Sequence, residues 1–205
     1  MAGVRLAADQ KKARRQDARI VLIDESGLLM APLVRRTWAP RGQTPSLLQF
    51  GAAGPREKVS VAAALWLSPH RDRLGLYART LVNQYFNSWY VATFLEAMMS
   101  ELPGRFVVVW DGGPMHKGDP IHQVTDLFAD RLCLESLPPW APELNPVEPL
   151  WGWLKYDQLC NYTPHDVAKL DERVVAEIAT VGEDQRFLRG LYHASELPLP
   201  RALLF

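Results

Sequence analysis

Short apolar blocks, each closed by a polar or turn-forming residue, set the rhythm of the first 110 residues. Arg19-Ile-Val-Leu-Ile-Asp24 is four apolar residues ending in a carboxylate, the pattern of a buried strand. Ser26-Gly27 predicts a turn, with Leu28 to Val34 a second short apolar stretch beyond it. Thr37-Trp-Ala-Pro-Arg-Gly-Gln-Thr-Pro45 reads as loop from its Pro and Gly. Val59 to Leu67 is a further strand candidate, although its alanines suit a helix as well, and Leu74 to Thr80 is another. Asn87 can cap a helix reaching about Leu102, in which Val91, Phe94, Leu95, Met98 and Met99 follow helical spacing. Arg105-Phe-Val-Val-Val-Trp-Asp111 is the strongest strand in the chain and again ends in Asp.

Beyond Asp111 the period lengthens. Pro120 to Asp130 reads as a helix and Leu132 to Leu137 as a short strand. Asn145-Pro-Val-Glu148 opens another helix, with Asn as N-cap, Pro at the first helical position, and Val147, Leu150, Trp151, Leu154 and Gln158 as its stripe. Helical pattern continues from about Pro164 to Gly190. Consecutive strands imply an antiparallel meander, and the later strand–helix–strand alternation implies parallel strands. The expected class is α/β, a mixed sheet flanked by helices.

Composition narrows the class without changing it. A chain of 205 residues, 48% hydrophobic and 22% charged, can bury a core and is not that of a disordered protein. It has no apolar run of membrane-spanning length, and its N-terminal residues lack a secretory signal, so a cytoplasmic location is expected. Cys133 and Cys160 have no metal-ligand spacing and read as reduced bystanders. Net charge is zero, yet residues 1–60 hold eleven Lys/Arg against five Asp/Glu. A basic beginning and an acidic remainder suit a protein that holds phosphates with one region and cations with another, and also suit an ordinary solvated surface.

The candidate chemistry lies in Asp24 and Asp111. Burying a strand-end carboxylate is costly unless it is paired or binds a cation. Two such strand ends can lie side by side, and a third carboxylate could complete an all-oxygen set suited to Mg²⁺ or Mn²⁺. Local pattern alone leaves structural roles open. Asp24 can begin an Asp-Glu-Ser-Gly turn, Asp111 precedes Gly112-Gly113-Pro114, and Glu148 stands where a capping-box Glu would bond back to Asn145. His116 reads as a packed or capping residue.

Three segments in order resemble the catalytic domain of insertion-sequence transposases of the mariner-like superfamily, the DDE endonucleases. They are Val21-Leu-Ile-Asp-Glu-Ser-Gly27 with Arg36-Thr-Trp-Ala-Pro-Arg-Gly-Gln-Thr-Pro45, then Val107-Val-Val-Trp-Asp-Gly-Gly-Pro-Met-His116, then Leu137-Pro-Pro-Trp-Ala-Pro-Glu-Leu-Asn-Pro-Val-Glu-Pro-Leu-Trp151 followed by Lys155. The third is the most specific, and the 36 residues between Asp111 and Glu148 match the family's gap. The resemblance implies an RNase H-like mixed five-stranded sheet with helices on both faces. It implies two Mg²⁺ or Mn²⁺ ions held by Asp24, Asp111 and Glu148, which are also the catalytic residues. The activity implied is cleavage of DNA at the ends of an insertion sequence and strand transfer into target DNA. Arg35, Arg36, Arg41 and Lys155 are the candidate phosphate contacts.

Two departures qualify the match. Gly112 stands where the family usually has Asn, and only about nineteen residues precede the first strand, where relatives carry a helix-turn-helix region. The expected organisation is a basic arm over 1–19, the catalytic domain over 20–180 and a helical tail over 181–205. The expected partners are DNA, a helix-turn-helix polypeptide or fused N-terminal domain, and a second copy of the chain. The rival readings are a truncated, non-catalytic fragment that binds DNA or a partner, a host RNase H-like nuclease that cuts without joining, and a carboxylate-pair glycosidase.

Overall fold

The computed structural model describes residues 17–31, 33–47, 57–138 and 141–197. The basic arm therefore lies outside the described residues up to residue 16, as does the tail from residue 198. Five strands form one sheet: β1 (Ala18–Leu29), β2 (Lys58–Leu67), β3 (Leu74–Val82), β4 (Arg105–Trp110) and β5 (Leu132–Ser136). Their spatial order is β3-β2-β1-β4-β5. β1, β2 and β3 pair antiparallel, whereas β4 lies parallel to β1 and β5 parallel to β4. The mixed sheet expected from the element order is the one observed.

Helices cover both faces. On one face lie α1 (Ser88–Glu101) and α2 (Asp119–Leu127), packed on Val21, Ile23, Val108 and Trp110. On the other lie α3 (Glu148–Trp153), α4 (Val167–Gly182) and α5 (Gln185–Ala194), packed on Ile20, Leu22, Val107 and Val109. Successive strand residues point to opposite faces, so each of β1 and β4 feeds two cores at once. This explains why Phe106 to Trp110 is apolar throughout, without alternation. It also resolves the alanines of β2. Ala62 and Ala64 enter one core and Ala63 the other, in a strand buried on both faces. Asn87 caps α1 as expected, accepting from the Tyr90 N–H at 3.1 Å.

Two local expectations need correction. Ser26-Gly27 is not a turn, because β1 runs unbroken to Leu29 and pairs with β2 over ten positions. The ladder outweighs the local turn preference of Ser and Gly. Asn145 does not cap α3 through its side chain either, since the helix begins at Glu148. Buried Asn145 instead donates from Nδ2 to the Ile23 carbonyl at 3.0 Å and accepts from the Val147 N–H at 3.1 Å. It therefore ties the entry of α3 to the middle of β1. Its own N–H goes to the Pro142 carbonyl, which leaves no capping-box role for Glu148.

Among the described residues, no helix is long and apolar enough to cross a membrane. Residues 33–47 form neither helix nor strand, and every one of them is exposed.

Candidate active site

The site forms where the parallel pairing of β1 with β4 ends. That pairing runs to Leu22 opposite Val109. Asp24 lies two residues past Leu22 within β1, and Asp111 two residues past Val109, just beyond the end of β4. Leu22 and Val109 face the core under α3, and by strand alternation so does Asp24. The Asp111 carboxylate lies against His116. Glu148 is the first residue of α3. The three carboxylates thus come from unrelated elements: the middle of β1, the residue after β4 and the start of α3.

Asp24 is half-buried, and Trp151 donates from its indole Nε1 to Asp24 Oδ2 at 2.5 Å. Burial pushes the Asp24 carboxyl up to about 7. The Trp151 hydrogen bond opposes the rise, and the charges of Glu148 and Glu25 add to it. A carboxylate in this state is what a nearby divalent cation would relieve. One helical turn beyond Trp151, Lys155 Nζ donates to Ser26 Oγ at 2.7 Å. Glu148, Trp151 and Lys155 recur at i, i+3 and i+7, so all three look toward the end of β1. Lys155 lies in a single π turn, Leu154–Gln158, that continues α3; such turns are frequent at functional sites.

Asp111 differs. Its side chain is 62% exposed, and its Oδ1 accepts from the Gly113 N–H at 2.9 Å. His116 Nδ1 lies 2.8 Å from the same oxygen and 3.0 Å from the Asp111 carbonyl. The imidazole is buried and stacks on Trp110 at 4.4 Å and 4°, and its Nε2 lies 3.1 Å from Glu25 Oε1. Burial lowers the His116 pKa, but the hydrogen bond and charge of Glu25, joined by Asp111, raise it overall.

As placed, the side chains do not close into a metal cage. Among the described residues, no three His, Cys, Asp or Glu side chains are grouped to hold one ion. Asp24 is turned to Trp151 and Asp111 to His116, while Glu148 is exposed. The donor chemistry still fits Mg²⁺ or Mn²⁺: all three candidates supply oxygen, and two follow the last pair of adjacent strands.

The candidate phosphate contacts divide. Lys155 is bonded to Ser26, two residues beyond Asp24 on β1. Arg36 and Arg41 project from the exposed segment 33–47. Arg35 is engaged elsewhere: its guanidinium donates to the Tyr156 carbonyl at 2.7 Å and to Asp157 Oδ1 at 3.3 Å. Pro139 and Trp140 of the third sequence segment lie outside the described residues. Sequence reasoning missed Glu25 and missed the polar role of Trp151. It read His116 as a packed or capping residue and not as a partner of Asp111. The available signal was the need of a buried carboxylate for donors, which an indole at i+3 from Glu148 can supply.

The family described as DDE superfamily endonuclease matches residues 19–171, and the chain belongs to it. Solved structures agree on the fold. The Mos1 transposase paired-end complex with left transposon end is similar at a TM-score of 0.61 and 15% identity, covering 94% of this chain and 57% of that one. The Mos1 mariner paired-end complex with Mn gives 0.61 at 16% identity, covering 94% and 58%. The catalytic domain of Mos1 mariner transposase gives 0.54 at 14% identity, covering 93% and 83%. This chain spans a little over half the length of the transposase chains in those complexes. No curated protein matches the sequence. The fold is that of an RNase H-like DDE transposase catalytic domain.

Proposed function

We propose that this chain is the catalytic part of an insertion-sequence transposase, cleaving DNA at the element's ends and joining the freed strand to target DNA. One observation supports the reading: Asp24, two residues past the last β1–β4 pair, is near enough to Glu148 at the start of α3 for the Glu148 charge to raise its pKa, and Asp111 stands two residues past the same pair on the neighbouring strand. Family membership and the Mg- and Mn-containing Mos1 complexes support the choice of cation.

Asp24, Asp111 and Glu148 would hold two ions. Bound there, Mg²⁺ or Mn²⁺ would activate an attacking oxygen and stabilise the leaving one in a phosphodiester. The protein's own groups do the rest. Trp151 orients Asp24 through its N–H, and burial under α3 keeps water from that side. Lys155 holds a phosphate beside the carboxylates, and Arg36 and Arg41 contact the DNA backbone further out. Arg35 serves mainly to anchor the exposed segment. We assign end-sequence reading to a helix-turn-helix unit, on a longer chain or a partner, because phosphate contacts carry no sequence information. Exposed Val34 and Trp38 suit contact with a second copy of the chain.

The decisive experiment is Asp111→Asn in a cleavage assay on duplex DNA carrying element ends. Mg²⁺- or Mn²⁺-dependent nicking should fall to background while circular dichroism stays unchanged. Cutting at the wild-type rate would end the two-ion reading. Following the freed 3′ end in the same assay separates a transposase, which joins it to target DNA, from a nuclease, which does not.

A further inference from the structure

We propose that His116 is the positioning residue for Asp111, and that Glu25 sets the imidazole in turn. This rests on the metal role given to Asp111 above. β1 sends Asp24 toward α3 and, one residue later, Glu25 toward the opposite face. There Glu25 meets a buried imidazole whose other nitrogen is 2.8 Å from the Asp111 carboxylate. The result is a chain of three groups, Glu25, His116 and Asp111, running beneath the end of the sheet.

The geometry is selective. Both contacts on the Asp111 carboxylate, the Gly113 N–H and His116 Nδ1, fall on Oδ1. Among the described residues Oδ2 has no partner, so it is the oxygen left to face a cation. Stacking on Trp110 fixes the plane of the ring. The contact of Nε2 with Glu25 fixes its rotation about that plane. The Gly113–His116 turn, closed by the His116 N–H to the Gly113 carbonyl at 3.2 Å, holds the donor loop in place. An exposed carboxylate would otherwise sample several rotamers, and holding one of them lowers the ordering cost of binding an ion.

A packing role and a positioning role for His116 make different predictions. His116→Phe keeps an aromatic ring on Trp110 but removes both nitrogens. Glu25→Gln keeps the shape and removes the charge. Mn²⁺ binding to the DNA-free chain would be titrated calorimetrically for wild type, His116→Phe, Glu25→Gln and Asp111→Asn, with melting temperature measured alongside. The expected result is a roughly 10- to 100-fold weaker Mn²⁺ affinity for His116→Phe and a smaller loss for Glu25→Gln, both with near-native melting, and loss of the site in Asp111→Asn. If Asp111→Asn loses the site while His116→Phe and Glu25→Gln bind as wild type, the positioning role is overturned and the metal site stands. If Asp111→Asn itself binds as wild type, the metal role of Asp111 falls, and the positioning role with it. Should His116→Phe fail to fold, Glu25→Gln decides alone: wild-type affinity refutes the relay, and weakened affinity supports it.

Discussion

Asp24 and Asp111 each stand two residues past the last pair of neighbouring strands β1 and β4, yet their surroundings are opposed. Asp24 is half-buried under α3, and burial there pushes its pKa up to about 7. Asp111 is well exposed and anchored by a backbone N–H and an imidazole. One carboxylate is costly to ionise because it is buried, and the other is exposed and has to be held still. A cation between them would repay the first in charge, whereas the second needs only direction. The comparison teaches that equivalent ligands can be prepared by opposite means, desolvation on one strand and tethering on the next.

The largest expected effect separates stability from catalysis. The folded pKa of Asp24, about 7, lies above its ordinary 3.8, so the folded chain keeps a proton that the unfolded chain releases. That contribution to stability is full below about pH 4 and is lost as pH rises through about 7. Metal-free Asp24→Asn should therefore melt a few degrees higher than wild type at pH 8 and show a flatter pH dependence. Asp111→Asn should track the wild-type melting curve, although both variants lose cleavage. Equal melting behaviour of the two variants across pH 5 to 8 would erase the contrast.

A smaller effect probes the Asp24 side alone. Trp151→Phe keeps the ring in the core but removes the N–H, and a hydrogen bond to a charged group is worth about 1.5–3 kcal/mol. Its loss should raise the Asp24 pKa further and move the acid limb of the cleavage pH profile up by roughly one unit. An unmoved limb would mean that Asp24 does not titrate in the rate-limiting state.

The smallest effect sharpens the Asp111 side. A Cβ on Gly113 would meet Asp111 Oδ1 at 2.9 Å, whereas one on Gly112 meets nothing within 4 Å. Gly113→Ala should displace the carboxylate and slow cleavage several-fold. Gly112→Asn, which restores the family's usual residue, should change melting by less than about 0.5 kcal/mol. Parallel kinetics and melting curves on the pair would check this, and equal activity of both variants would mean that the Asp111 rotamer is not under constraint.

The apolar runs before Asp24 and Asp111 were legible as strands, but local pattern left turn roles open for both Asp residues, and only the family resemblance singled them out. The helix faces were legible from periodicity, as Val91, Phe94 and Leu95 in α1 illustrate. What failed was tertiary. Ser26 and Gly27 look like a turn until β2 offers them ladder partners. Asn145 looks like a cap until Ile23, 122 residues away, offers it a carbonyl. Glu25 and His116 lie 91 residues apart, and Asp24 and Trp151 lie 127 apart. No local window contains either pair, so the support of the site could not be read before the fold.

The root of the exposed segment has a mechanical consequence. Asn161, held at φ 58° just past the π turn, grips that root three times: its N–H donates to the Leu33 carbonyl, its Oδ1 accepts from the Arg35 N–H, and its Nδ2 donates to the Arg35 carbonyl. Arg35 adds two more bonds to the turn itself. The segment that carries Arg36, Trp38 and Arg41 is thus moored at its root to the same π turn that carries Lys155 and continues the helix begun by Glu148.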